Sequence, residues 1–334
     1  MRNDEQAAGS VASRVRVARM RYDACGPTRE RLRRTETLNS AVPYIAPPNT
    51  AMPVPRDALA STATWRPRTL AAGAVAVLGA AEPAAKVALS REVAEAWRGG
   101  NLIIGNADPP PRPARPPRPL LRSPRDVPKR RNFGSPAGRI ALLHALAHIE
   151  LNAIDLAWDL IARFGATGWP RSFFDDWVTV AAEEAEHFSL LSDRLAALGS
   201  VYGDLPAHDG LWEAAVATAH DPLARLAVVP LVLEARGLDV TPEMIARLER
   251  AGDGHSATML NRIYRDEIGH VAAGRRWFEF LCKRCGREPR EIFHALVRRH
   301  FTGTLKPPFN HWARQQASFP AAWYEMPTCA DARC

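Results

Sequence analysis

The sequence predicts an all-α fold, a four-helix bundle with extra helical segments on its N- and C-terminal sides. From Ser135 onward apolar residues recur at helical spacing, as at Ile140, Leu143, Leu146, Ala147, Ile149, Ala153, Ile154 and Ala157. Two of the runs open with a cap residue followed by proline, Ser135-Pro136 and Asp221-Pro222, which is how a helix starts. No stretch in this region alternates apolar and polar residues with the period of a strand.

Taken in order, residues 1–60 carry scattered Arg, Pro and Ser/Thr without either periodicity, so a disordered basic extension is expected. Residues 61–105 form a short helical segment, with helices at 68–80 and 86–98, the second capped by Ser90 and bearing alternating charges on one side. Residues 106–134 are a linker. Between Pro109 and Pro128 nine of twenty residues are Pro and five are Arg, which implies an extended, solvated tether. The bundle covers 135–286. Its first helix runs to Gly165 and its second from Ser172 to Leu198, stopped by Gly199. Its third starts at Asp221-Pro222 and ends at Gly237, with a kink at Pro230. Thr241-Pro242-Glu243 caps a short helix ending near Gly252, and the last runs from His255 to Cys285. A C-terminal helix and tail, 287–334, are expected to pack on the bundle.

With 46% hydrophobic and 24% charged residues, the composition is that of a globular protein. The net charge of +8 divides unevenly: residues 1–140 hold 24 Lys+Arg against 11 Asp+Glu, or +13, and the remainder holds 20 against 25, or −5. The basic balance therefore belongs to the extension and tether, and gives nucleic acid only weak support as a partner. Five cysteines make no disulfide framework, and residues 1–40 contain no apolar run of a signal peptide. The most apolar segment, Thr69–Leu89, is broken by Glu82-Pro83 and Lys86, too often to span a bilayer. A cytoplasmic protein without membrane contact is expected. Cys282 and Cys285 have zinc-knuckle spacing but no convincing second pair, so zinc is not expected there.

The chemistry lies in acids and histidines placed where the helices should be apolar. Glu150 falls on the stripe of Leu143, Ala147, Ile154 and Ala157, and Glu234 falls between Pro230, Leu231 and Leu238. A buried carboxylate in such a stripe needs compensation. Glu184 and His187, and again Glu267 and His270, are three residues apart and so share a helix face. One Glu-x-x-His alone is usually a solvated pair. Here two occur, alternating with two lone acids in matched register: Glu150 to Glu184 is 34 residues and Glu234 to Glu267 is 33. A Glu from each of two helices plus Glu-x-x-His from each of the other two is the ligand set of ferritin-like di-iron and di-manganese carboxylate bundles. Four carboxylates balance the charge of two divalent cations, and each His adds a neutral nitrogen.

Gly138 to Trp277, with GRIALLHALAHIELNAIDLAWDLIARF, AAEEAEHFSLL, VVPLVLEARGLDVTP and IYRDEIGHVAAGRRWF, resembles the domain of unknown function 455 (DUF455) family of the ferritin-like superfamily, as does LKPPFNHWAR. The resemblance implies that Glu184 and Glu267 bridge two metals, that Glu150 and Glu234 are terminal, and that His187 and His270 each hold one. The metals would be two Fe ions, or Mn, or mixed Fe/Mn. A tRNA hydroxylase of the MiaE type is a distant analogue in ligand order. The implied activity is an O2-dependent oxidoreductase or hydroxylase using an external electron donor on an unidentified substrate, a modified tRNA nucleoside being one option. Iron or manganese handling without organic turnover, and a metal-free structural bundle, are the alternatives. Around the ligands, His148 is a candidate support, although His144, His148 and Asp155 lie on a different face from Glu150, which suggests interhelical hydrogen bonding. Asp266 could orient a ligand His and Tyr264 could line the pocket, a solvated acid and a core tyrosine being the plainer readings. Arg236 points elsewhere.

Overall fold

The computed structural model describes residues 67–128 and 132–325. The disorder expected of 1–60 and the end of the tail lie outside the described residues. The chain divides into Met1–Arg66 and Pro67–Cys334, and the second unit is described here. Among the described residues every regular element is helical, and strand-like pairing is limited to two isolated bridges, Thr69 with Ile103 and Leu121 with Ala207.

Helices α1 (Leu70–Gly79) and α2 (Pro83–Arg98) form the N-terminal segment. The Thr69 hydroxyl accepts from the Ala72 amide and starts α1. Ser90 does not cap α2, contrary to expectation. The helix begins about two turns earlier with Pro83 in its first turn, which needs no amide donor there. Ser90 is instead buried mid-helix, where its hydroxyl donates to the Ala181 carbonyl and accepts from the Trp158 indole. Helix α3 (Pro136–Phe164) starts at the Ser135 cap as expected, and α4 (Arg171–Ala197) ends before Gly199, whose positive φ a glycine adopts without strain. The long apolar α3 would satisfy the length and composition of a membrane span, but 72% of that stretch is buried inside the protein.

Helix α5 (Gly210–Ala217), not anticipated from the sequence, carries Trp212 and Ala215 into a small core with Leu156 and Val229. Asp221 caps α6 (Pro222–Val228), which passes into a π turn over Val229–Glu234 and then α7 (Ala235–Arg250). The expected break between Gly237 and Thr241 is absent, and α7 runs through Pro242. Proline leaves the carbonyl four residues back without its helical donor. That carbonyl, Leu238 O, accepts from the Asn310 amide at 3.1 Å, so the C-terminal segment repairs the gap. The real irregularity is upstream, where Pro230 sits in the π turn, the extra residue accommodating a ring that a regular helix would not.

Helix α8 (Gly254–Arg284) is capped by Asp253 and followed by α9 (Pro289–His300), α10 (His311–Gln316) and α11 (Ala321–Tyr324). Helix α3 packs along α4 and α7 along α8, while α4 meets α8. The N-terminal α1 and α2 cover α3 and α4. Gly274 lets α8 approach the π turn, since a Cβ there would stand 2.4 Å from Pro230 Cβ.

The Pro/Arg segment is extended, as its prolines dictate, but it is not a solvated tether. Pro113 and Pro119 are buried, the Ala114 amide donates to Leu78 O, and the Arg122 amide donates to Ala207 O. Arg112 pairs with Asp209, and Arg115 pairs with buried Asp155 at 2.5 Å. Two of its five arginines find carboxylates, so the segment is a strap. Asp155 also holds Lys86 of α2 at 2.6 Å, both fully buried, and Asp159 holds Arg163 and Arg225. At the C-terminal end Arg314 grips Asp239 through two nitrogens and lies over the rings of Phe309, Phe319 and Tyr324.

This packing sets the cost of substitutions on α8 and at the strap. Gly274→Ala is expected to lower stability by ~1–3 kcal/mol, because the new methyl meets Pro230. Gly269→Ala, on the same helix with open space around it, is expected to be neutral or stabilising by up to about 1 kcal/mol. Denaturant unfolding of both separates crowding from helix propensity. Asp155→Ala, which strands Lys86 in the interior, is expected to cost ~3–5 kcal/mol in the same measurement.

Candidate metal centre

Four elements bring their acids and imidazoles to one place in the helical core. Glu150 emerges from the apolar stripe of α3 and is itself buried. Glu184 and His187 lie one turn apart on α4, and Glu267 and His270 one turn apart on α8, with three of the four almost inaccessible and the Glu267 side chain 14% exposed. Glu234 is the last residue of the π turn. The inserted residue shifts the register of the helix beyond it by about 100°. Glu234 is half-buried as a residue, but its Oε2 has no access to solvent.

One ligand atom each from Glu150, Glu184, His187 and Glu267 falls within 4.8 Å of the others. His187 Nδ1 is 3.3 Å from Glu184 Oε2, 3.7 Å from Glu150 Oε2 and 4.0 Å from Glu267 Oε1. His270 Nδ1 is 3.0 Å from Glu184 Oε1 and 3.5 Å from Glu267 Oε2. Glu184 and Glu267 thus each turn one oxygen to each imidazole. Glu150 Oε2, Glu184 Oε1, Glu234 Oε2 and His270 Nδ1 are buried without a hydrogen-bond partner. His270 Nδ1 and Glu184 Oε1 approach to ion-pair distance without hydrogen-bond geometry. Unsatisfied buried polar atoms are costly, and four in one spot call for an explanation.

The titration behaviour shows the same imbalance. Burial, then the neighbouring Glu184, pushes the Glu150 carboxyl well above its usual range. Burial, with the charges of Glu267 and Glu184, raises Glu234 to about 8. Burial resists ionisation of Glu184 too, but the His270 charge and the close approach of Glu150 and both histidines hold its carboxyl low. Burial likewise opposes charge on His187, yet hydrogen bonds to Asp266, Glu150 and Glu184 lift it to about 12, and carboxylates raise His270 well above its usual value. Burial and crowding thus favour the neutral form of Glu150 and Glu234 and the charged form of both imidazoles.

The outer ring nitrogens are held crosswise. His187 Nε2 of α4 meets Asp266 Oδ2 of α8 at 3.0 Å, and His270 Nε2 of α8 meets Glu183 Oε2 of α4 at 2.8 Å. Each leaves Nδ1 facing the cluster, which is how a carboxylate orients a ligand imidazole. Glu183 is not among the residues singled out from the sequence. Its signal is there all the same, because an acid immediately precedes both motifs, as Glu183-Glu184-x-x-His187 and Asp266-Glu267-x-x-His270.

The other two candidates lie elsewhere. Tyr264 turns its hydroxyl to the Asn310 side-chain amide at 2.8 Å. His148 joins Tyr202 at 2.8 Å and the His208 carbonyl at 3.0 Å, with burial, then the Arg115 charge, lowering its pKa to about 4. It ties α3 to the 199–209 loop, as does His144, which accepts from the Gly203 and Leu205 amides. Burial pushes the Cys282 thiol up to about 12, so it offers no thiolate.

Comparison with known proteins adds lineage. An uncharacterized protein of Haemophilus influenzae is 46% identical over 209 residues, covering 61% of this chain and 72% of that one. No solved structure matches the chain. A family model described as a protein of unknown function, DUF455, matches residues 79–325, a span that includes every residue of the cluster and both crosswise acids. The chain belongs to the DUF455 family.

Proposed function

We propose that this chain is a ferritin-like di-iron or di-manganese carboxylate protein acting as an O2-dependent oxidoreductase. The observation that carries the reading is the pair of carboxylates, Glu184 and Glu267, each turning one oxygen to His187 and one to His270, amid four unpartnered ligand atoms. Glu184 and Glu267 would bridge, Glu150 and Glu234 would be terminal, and each histidine would hold one metal through Nδ1. Carboxylate and imidazole donors suit iron and manganese alike. Bound iron would supply one-electron chemistry and O2 reduction. The protein excludes bulk water from the ligands, fixes the imidazoles through Asp266 and Glu183, and presents the more exposed Glu183 and Asp266 as a path for protons to solvent.

Metal handling without an organic substrate is the second reading. It is favoured by one feature: the clefts beside Phe280 and beside Arg122 are lined by no cluster residue. Assembly into a large closed shell on size-exclusion chromatography would favour it over the oxidoreductase. A tRNA substrate would call on the strap's arginines as phosphate contacts, but Arg112 and Arg115 are paired with Asp209 and Asp155.

Elemental analysis is expected to find two metals per chain, with Glu184→Ala and Glu267→Ala losing both and Glu234→Gln losing one; unchanged content in the first two variants would exclude the centre. Fe(II)-loaded protein is expected to oxidise on exposure to O2, followed by optical and EPR spectra, and inertness there would remove the oxidoreductase reading alone. Asp266→Asn and Glu183→Gln are each expected to weaken metal binding ~10–100-fold, while the metal-free chain still folds and unfolds cooperatively with a small loss of thermal stability from the broken imidazole pairs. Equal affinity by competition titration would show that the crosswise acids do not orient the imidazoles.

A further inference from the structure

Each of the two helices that carry Glu-x-x-His also carries a tryptophan two turns from its ligands. Trp177 precedes Glu184 by seven residues on α4, and Trp277 follows His270 by seven on α8. Seven residues rise about 10 Å along a helix and return to the same face. Cross-helix bonds join Arg194 to Ser256, His187 to Asp266, and Asp176 to Trp277, so α4 and α8 run antiparallel and both indoles lie at the same end of the core. Phe173 stands between them, its ring 6.4 Å from Trp177 and 5.4 Å from Trp277. Trp277 in turn lies 5.5 Å from Phe280, which lines a surface cleft with Lys283 and Arg287.

The two indoles differ in what their N–H meets. Trp177 Nε1 is buried with no hydrogen-bond partner. Trp277 Nε1 donates to Asp176 Oδ2 at 2.8 Å, and that carboxylate, 26% exposed, is also held by Arg276. A tryptophan that loses an electron becomes strongly acidic at its indole N–H. Trp177 has nowhere to put that proton, whereas Trp277 does.

We propose that Trp177, Phe173 and Trp277 form an electron path between the metal cluster and the surface at Phe280, with Asp176 as its proton acceptor. The inference rests on the redox-metal reading above. Were excess hydrogen peroxide to raise iron held at the cluster above Fe(III), one electron would leave Trp177 and lower that iron by one equivalent. The Trp177 cation keeps its proton and is refilled by one electron from Trp277 across Phe173. The Trp277 Nε1–H bond then breaks, its proton passes to Asp176 Oδ2, and a neutral indole radical remains. An external one-electron donor at the Phe280 cleft restores Trp277, which takes the proton back from Asp176.

The test uses the full chain loaded anaerobically with Fe(II), its iron content measured, then mixed with hydrogen peroxide and freeze-quenched for EPR, with oxidised residues mapped by mass spectrometry. A neutral tryptophan-radical signal is expected, with oxidation at Trp277. Trp177→Phe and Trp277→Phe are expected to lose the signal while keeping full iron content and still unfolding in one cooperative thermal transition, at a lower midpoint. Trp212→Phe, whose indole lies in the separate small core with Leu156 and Val229, is expected to retain it. Asp176→Asn is expected to replace the neutral radical by a protonated one. A signal unchanged in both path variants, or no tryptophan radical in iron-loaded wild type, overturns the path and leaves the metal centre standing. A chain that takes up no iron overturns both.

Discussion

Four carboxylates converge in an apolar core with no lysine or arginine among them, and the rest of the molecule is arranged around that charge. Elsewhere among the described residues the buried acids are answered by the chain's own cations. Asp155 has Lys86 and Arg115, Asp159 has Arg163 and Arg225, Asp239 has Arg314, and Asp253 has Arg194. At Glu150, Glu184, Glu234 and Glu267 the chain provides only two imidazoles, and those are fixed from outside by acids of their own. Burying unbalanced charge is prohibitive, so the chain alone can close this site only by keeping Glu150 and Glu234 protonated and both imidazoles charged, whereas cations from outside would balance all four acids ionised. Divalent cations do so without the bulk of an arginine.

The same contrast explains why α3 can be acidic on two faces. Towards the cluster it offers Glu150. Towards the strap and the N-terminal helices it offers Asp155 and Asp159, each neutralised by partners drawn from distant parts of the sequence. Lys86 and Arg115 come from segments that precede α3, and their pairing with Asp155 fixes the N-terminal helices and the strap to the core. The α3 backbone is thereby held from the side opposite the Glu/His cluster, and Glu150, about one and a half turns from Asp155, inherits that rigidity. A site assembled from four elements needs this, because ligands must be positioned before a cation arrives to reward them.

How far the sequence can be read depends on which signals are local. The ligand residues break an apolar helical pattern, and a broken pattern is visible without any tertiary knowledge. Glu183 has a visible signal too, the acid preceding each motif, but it emerges only when the two motifs are compared with each other. The strap reads as a tether because the partners of Arg112 and Arg115 are Asp209 and Asp155, in segments no local rule connects. Helix α7 reads as broken at Pro242 for a related reason. Proline's local effect is to break a helix, and what spares this one is Asn310, nearly seventy residues on, donating to Leu238 O. Helix α5 is short, and its Trp212 is buried by Leu156 and Val229 rather than by any periodicity of its own.

At the π turn the local and the distant constraints meet. Pro230 forbids a regular helix where the third ligand-bearing segment passes the cluster, and the extra residue re-aims the chain just before Glu234. The distortion is tolerated because Gly274 of α8 leaves room for the proline ring. Glycine and proline, the two residues that most weaken a helix, therefore meet face to face beside the Glu/His cluster. Each alone would be a cost to its own helix. Together they let α8, which carries Glu267 and His270, lie close against the turn that carries Glu234. Π turns concentrate at functional sites because they change one side chain's direction without ending the helix, and the one here brings Glu234 near enough to Glu267 and Glu184 for their charges to raise its carboxyl.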